Sequence, residues 1–218
     1  NNFLKKVRNL ANKKNIVLIF DECTSGFRQS FGGIHKLYKV EPDMMMLGKA
    51  LGNGYAITAV LGKKNIMDSI SDTFISSTFW TERAGPAAAL KTLEIMEKRK
   101  SWNYISKLGK YIKLNWKKLA KKNRINIRVT GIDPLCSFTF ISKYHQAYKT
   151  FITQEMLKYN FLATTTIYVS VTHDKKILRN YFKILDYLFS IISKCENGDD
   201  IFKYLVTDIS ETDFARLN

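Results

Sequence analysis

The sequence predicts an α/β unit over residues 1–100 followed by a small α+β unit over residues 101–218. Two observations carry the first part: an amphipathic helical stretch runs straight into a continuous apolar pentapeptide, and short apolar runs bounded by glycine follow it. The second part rests on order, because apolar runs and helical periodicities then alternate as β-β-α-β-α.

Residues 3–14 set Phe3, Leu4, Val7, Leu10 and Ala11 at helical spacing among basic positions. Ile16–Phe20 is apolar throughout rather than alternating, the pattern of a strand covered on both faces in a parallel sheet. Met44–Leu47 and Ile57–Leu61 read as further short strands. From Pro86 to Lys100, Ala87, Leu90, Leu93, Ile95 and Met96 repeat at helical spacing, and a second helix carries Ile105, Leu108, Ile112, Trp116 and Leu119 on one stripe. Strands are then expected at Ile125–Val129 and Cys136–Ile141, a helix around Tyr144–Tyr159, a strand at Ile167–Val171 and a helix from Asp174 to Ser193.

Composition excludes several classes. With 45% hydrophobic and 25% charged residues the chain is neither disordered nor low in complexity, and its apolar runs fall short of the about 18 residues of a membrane helix. The net charge of +16 suits a polyanion, but 27 of the 35 basic residues are lysine, and coding bias produces the same excess. Between Lys98 and Arg128 there are twelve basic residues and no acidic one. That run suits either a nucleic-acid footprint through Lys107, Lys110, Lys117 and Lys121 or a solvated helix face; no aromatic platform accompanies it. Cys23, Cys136 and Cys195 lie far apart with no metal-ligand spacing, so no metal is expected and a reducing, cytoplasmic setting is. The chain begins without Met and already within a helical pattern, which suggests a start inside a longer protein.

Three segments carry candidate chemistry. The first is Phe20-Asp21-Glu22, acidic residues at the carboxyl end of a buried strand, where ligands of α/β sheets collect. An ATPase would use the pair for magnesium and for activating water, a pyridoxal-phosphate (PLP) enzyme would use Asp21 on the cofactor's ring nitrogen, and a simple turn would need neither. The second is Met44 to Gly54, where Lys49 follows a short strand and sits among glycines. A phosphate loop is excluded there, because Ala50 replaces the required Ser or Thr and Met44 occupies the place of the earlier glycine. The third is Ser76 to Arg83 before an alanine-rich helix, where hydroxyls and helix N–H groups suit either a phosphate or ordinary capping.

Together these motifs resemble one family. Phe20-Asp21-Glu22, Thr24-Ser25-Gly26-Phe27-Arg28, Phe31-Gly32-Gly33, Pro42-Asp43, Leu47-Gly48-Lys49, Gly52-Asn53-Gly54 and Ser77-Thr78-Phe79, in this order, are similar to class III aminotransferases, most of all the glutamate-1-semialdehyde aminomutase group. Lys49 follows Asp21 by 28 residues, the separation found in that family. The resemblance implies part of a fold-type-I PLP transferase, with Lys49 as the Schiff-base lysine and proton carrier and Asp21 on the pyridine nitrogen. It places Cys23 against the ring where relatives usually have Val, and Ser77 and Thr78 near a phosphate, Thr78 reaching the cofactor of the other subunit of a homodimer. It implies a small amino or carbonyl substrate, with neither nucleic acid nor membrane as partner. The family's first half, with its phosphate loop and ring-stacking aromatic, has no counterpart in these 218 residues, so weak PLP binding is expected of this piece alone. Where relatives have Gly-Asn-Pro, the chain has Trp80-Thr81-Glu82-Arg83, bulk and charge that would reshape a pocket mouth.

Overall fold

The computed structural model describes residues 2–78 and 81–211. The chain divides into two compact units, residues 1–104 and 105–218.

In the first unit, α1 spans Phe3–Lys14 and stops at Asn15, whose left-handed backbone (φ 53°) turns the last N–H back onto Ala11 and Asn12. Strand β1 (Ile19–Asp21) runs parallel to β2 (Met44–Leu47), with Asp21 opposite Met46. Strand β3 (Ala59–Gly62) pairs antiparallel with β2, giving the order β1-β2-β3. The sheet is therefore mixed rather than parallel. A parallel neighbour needs a crossover of a dozen or more residues, usually helical, and the glycine-bearing loop 48–58 is too short for one. Helix α2 (His35–Tyr38) lies between β1 and β2, α3 (Lys64–Met67) follows β3, and a 3-10 turn covers Asp68–Asp72. Helix α4 spans Ala84–Arg99. Its Ala89 closes a small core with Phe27, Leu47, Ala50 and Leu51, against which Phe31, Met45, Ile57, Leu93 and Met96 pack.

The expectation that Ile16–Phe20 is covered on both faces is corrected. The strand starts only at Ile19, and Ile16, Val17 and Ile19 are 58%, 46% and 51% exposed. The cause is missing cover, since none of residues 16–21 belongs to either buried apolar cluster of the described residues.

The second unit takes up most of α5 (Ser101–Lys122), followed by β4 (Ile127–Thr130), β5 (Leu135–Phe140), α6 (His145–Lys158), β6 (Thr166–Tyr168) and α7 (Lys175–Glu196). The three strands form an antiparallel sheet in the order β4-β5-β6. Ile112 and Trp116 of α5, Phe138 of β5, Phe151 of α6 and Leu185 and Phe189 of α7 fill its core, each at most 1% exposed. Trp116 Nε1 donates to Tyr181 Oη at 3.0 Å, so the buried indole is satisfied. Gly109 is required where the β4–β5 turn crosses α5, since a Cβ there would lie 1.8 Å from the Asp133 carbonyl oxygen. Asp174 caps α7 by accepting from Ile177 N at 2.7 Å. Lys107, Lys110, Lys117 and Lys121 are exposed on α5, opposite its buried stripe.

Candidate active site

Asp21 ends β1 and Lys49 follows β2 by two residues, so the parallel pairing of these strands brings both to one end of the sheet. Asp21 Oδ1 accepts from Cys23 N at 3.0 Å. Hydrogen bonds from the Cys23 backbone and thiol, with a smaller contribution from the Lys49 charge, hold the Asp21 carboxyl below the usual carboxylate range. An exposed, ionised carboxylate therefore stands at the strand end. Cys23 has its own thiol pushed up, first by burial and then by Asp21. It packs beside Gly48, with Sγ 3.5 Å from where a Cβ on that glycine would be.

Lys49 has a left-handed backbone, φ 39°, unusual outside glycine. Local bonds hold it, from Leu51 N to Gly48 O at 2.9 Å and from Asn53 N to Lys49 O at 3.0 Å. The next turn demands Gly52, because a Cβ there would lie 2.1 Å from Tyr55 O. The Lys49 side chain extends to Thr24, Nζ donating to Oγ1 at 2.5 Å. Thus Asp21, Cys23, Thr24 and Lys49 form one cluster.

Glu22, next to Asp21, has a different job. It is 2% exposed, and its carboxylate accepts from Ile34 N at 2.5 Å, His35 N at 3.0 Å and Ser25 Oγ at 3.1 Å, with His35 Nδ1 2.7 Å away. Burial pushes its carboxyl up, and these bonds outweigh burial to leave it below the usual range. A carboxylate so fully engaged cannot also activate water, which removes the magnesium ATPase reading. Among the described residues no group of three His, Cys, Asp or Glu is placed to hold a metal.

Asp43 was marked by the sequence only as part of a motif. It is buried, accepting from Lys63 Nζ at 2.6 Å, Leu18 N at 2.8 Å and Arg8 at 2.8 Å, and these partners hold it well below the usual carboxylate range. It ties α1, the lead-in to β1 and the residue after β3 together. No residue pattern announces such a knot, because its three members are 20, 25 and 35 positions from Asp43.

Ser77 and Thr78 are exposed in the segment before α4. Phe79 and Trp80 lie outside the described residues. Of the two readings of the helix start, the backbone donors follow capping. Glu82 takes its first donors, Ala84 N at 2.6 Å and Gly85 N at 3.1 Å, and Pro86 offers none. Glu82 thus caps α4, and Ser77 and Thr78 take no part in that cap.

Residues 1–177 match the family model for aminotransferase class III. The chain belongs to that family. It is 36% identical over 162 residues to a 3-aminobutyryl-CoA aminotransferase of Cloacimonas acidaminovorans, covering 72% of this chain and 39% of that one. It is also 36% identical over 129 residues to a glutamate-1-semialdehyde 2,1-aminomutase of Thermodesulfovibrio yellowstonii, covering 58% and 30%. The chain thus spans less than half the length of these curated relatives. Among solved structures, the PLP internal aldimine form of the FumI protein of Sphingopyxis sp. MTA144 has a TM-score of 0.82 at 21% identity, covering 90% of this chain and 48% of that one. An acetylornithine aminotransferase from Elizabethkingia anophelis has a TM-score of 0.76 at 26% identity, covering 86% and 49%. The class III chain therefore has the fold of part of a fold-type-I transaminase. No described helix is long and apolar enough to cross a membrane.

Proposed function

We propose that this class III chain supplies the lysine and ring-acid part of a PLP site, in an enzyme that transfers or shifts an amino group on a small amino or carbonyl substrate. The observation that carries the reading is the convergence of Asp21 and Lys49 at one strand end, with Cys23 and Thr24 holding them. The residues fit the cofactor, since an ionised, exposed carboxylate and a primary amine are what its ring N–H and its aldehyde carbon need. When bound, the cofactor supplies an electron sink for negative charge on the substrate carbon.

The chain's own groups do the rest. Asp21 would hold the ring nitrogen protonated through an ion-paired hydrogen bond. Cys23, beside Gly48, would present a compact polarizable surface to the ring. Lys49 Nζ would hold the aldehyde carbon and, once the substrate amine displaces it, take and return the proton on the substrate carbon. The exposed Ser77 and Thr78 would meet the phosphate, Thr78 that of a second copy, in a cytoplasmic homodimer.

The test is spectroscopic. With PLP added, the longest polypeptide carrying this sequence should show a visible absorbance band that Lys49→Ala removes. A band unchanged by that substitution would reject the assignment. The 218-residue piece should bind PLP weakly, and stoichiometric uptake in a titration would contradict this.

A further inference from the structure

We infer that Thr24 is the positioning residue for the Lys49 amine, an inference that rests on the PLP reading of the site. Among the described residues, the Thr24 hydroxyl is the hydrogen-bond partner of Nζ, at 2.5 Å. Both ends of this contact are fixed. At one end, the Lys49 backbone is held left-handed by the turn 48–53. At the other, Thr24 lies in a turn closed from Gly26 N to Glu22 O at 2.8 Å, its carbonyl accepts from Arg28 Nε at 3.4 Å, and the buried Glu22 carboxylate anchors the turn to Ser25, Ile34 and His35.

The choice of a hydroxyl has a chemical consequence. A lysine side chain has four rotatable bonds, and without a partner its nitrogen samples many positions. A carboxylate at position 24 would hold the amine only as a cation. The Thr24 hydroxyl accepts from the ammonium form and donates to the lone pair of the neutral form, so it holds the nitrogen through proton uptake and release. Asp21, the other charged group in the cluster, acts on the amine through its charge, whereas the direct hydrogen bond is to Thr24. Thr24 thereby sets where the nitrogen waits, without touching the reacting carbon.

The experiment is residue-resolved trapping. The longest polypeptide carrying this sequence is mixed with PLP and borohydride, so that Nζ bonds to the aldehyde carbon, the aldehyde oxygen leaves as water and hydride fixes the bond as a secondary amine. Peptide mass spectrometry then reads the labelled fraction at Lys49 against the other 26 lysines of these 218 residues. Label should concentrate at Lys49 in the unchanged chain. Thr24→Val should lower the Lys49 fraction about fivefold, the factor expected for one lost hydrogen bond, with exposed Lys36 and Lys64 unaffected. Thr24→Ser should restore it. Equal Lys49 labelling in Thr24→Val, or Thr24→Ser behaving like Thr24→Val, overturns the inference while leaving the PLP reading intact. A Thr24→Val chain without native circular dichroism assigns the residue to folding and also overturns it. No enrichment at Lys49 in the unchanged chain overturns the PLP reading and this inference with it.

Discussion

Residues 105–218 enclose an apolar interior in which Trp116, Phe138, Phe140, Tyr148 and Phe189 meet edge to face, at ring separations of 4.8–5.8 Å. Residues 1–104 have five buried apolar residues in their core and place two carboxylates, Glu22 and Asp43, at the centre of their loops. One unit is held by area removed from water, the other by charge-assisted bonds that leave its strand ends open. Dense apolar packing stabilises without direction, whereas a carboxylate fixes particular N–H groups in place. On the proposed reading, the unit that would carry the chemistry is the one that needs directed bonds, because Asp21 and Lys49 would work only if their loops were set to within fractions of an ångström.

The contrast can be broken most forcefully in the second unit. Trp116→Ala should cost about 3–5 kcal/mol in denaturant unfolding followed by circular dichroism, since it opens a cavity and strips Tyr181 of a partner. A loss below about 1 kcal/mol would show that this core is not what holds the unit. Glu22→Ala should cost less, about 2–3 kcal/mol, by leaving the Ile34 and His35 N–H groups buried without an acceptor. Hydrogen exchange should localise that loss to residues 22–40 and leave α7 protected; uniform acceleration would erase the distinction between the units.

Acid sharpens the same comparison. Glu22 and Asp43 both have folded-state values lowered below their unfolded ones. Their contribution is therefore complete above the ordinary carboxylate range, about pH 4, and is lost as pH falls through the lowered values. Protection of residues 16–45 from hydrogen exchange, taken relative to the intrinsic rate at each pH, should fall below about pH 4 before that of α7 does. The smallest effect is on the surface. Lys91→Ala, which removes an exposed pair with Glu94 on α4, should change stability by under about 0.5 kcal/mol.

Much of this was legible along the chain. Helical spacing located α1, α4, α5 and α7; α5 and α7 each bury one stripe, whereas Phe3 and Leu10 of α1 and Leu90 and Ile95 of α4 stay exposed. Strand positions were legible to within a few residues, but the burial of β1 was not. An apolar run shows what a strand prefers to face, and its neighbours decide what it does face. In the candidate site, Asp21 and Lys49 stood out through motif spacing. Thr24 did not, since nothing in a linear pattern says that its hydroxyl meets an amine 25 residues away. Glu22 was visible as an acid, but its engagement by Ile34 and His35 was not, and that engagement is what removes it from catalysis.

By itself, the sequence determined the element order, the stripes that α5 and α7 bury and the acid–lysine spacing that marks the family. Those properties depend on neighbours a few residues apart or on motifs kept in order. Only the tertiary structure decided which carboxylate is open and which is consumed, that Glu82 closes the start of α4, and that a threonine holds the lysine. Each of these depends on the direction of a hydrogen bond between groups brought together by folding, and direction is not a property of a one-dimensional pattern.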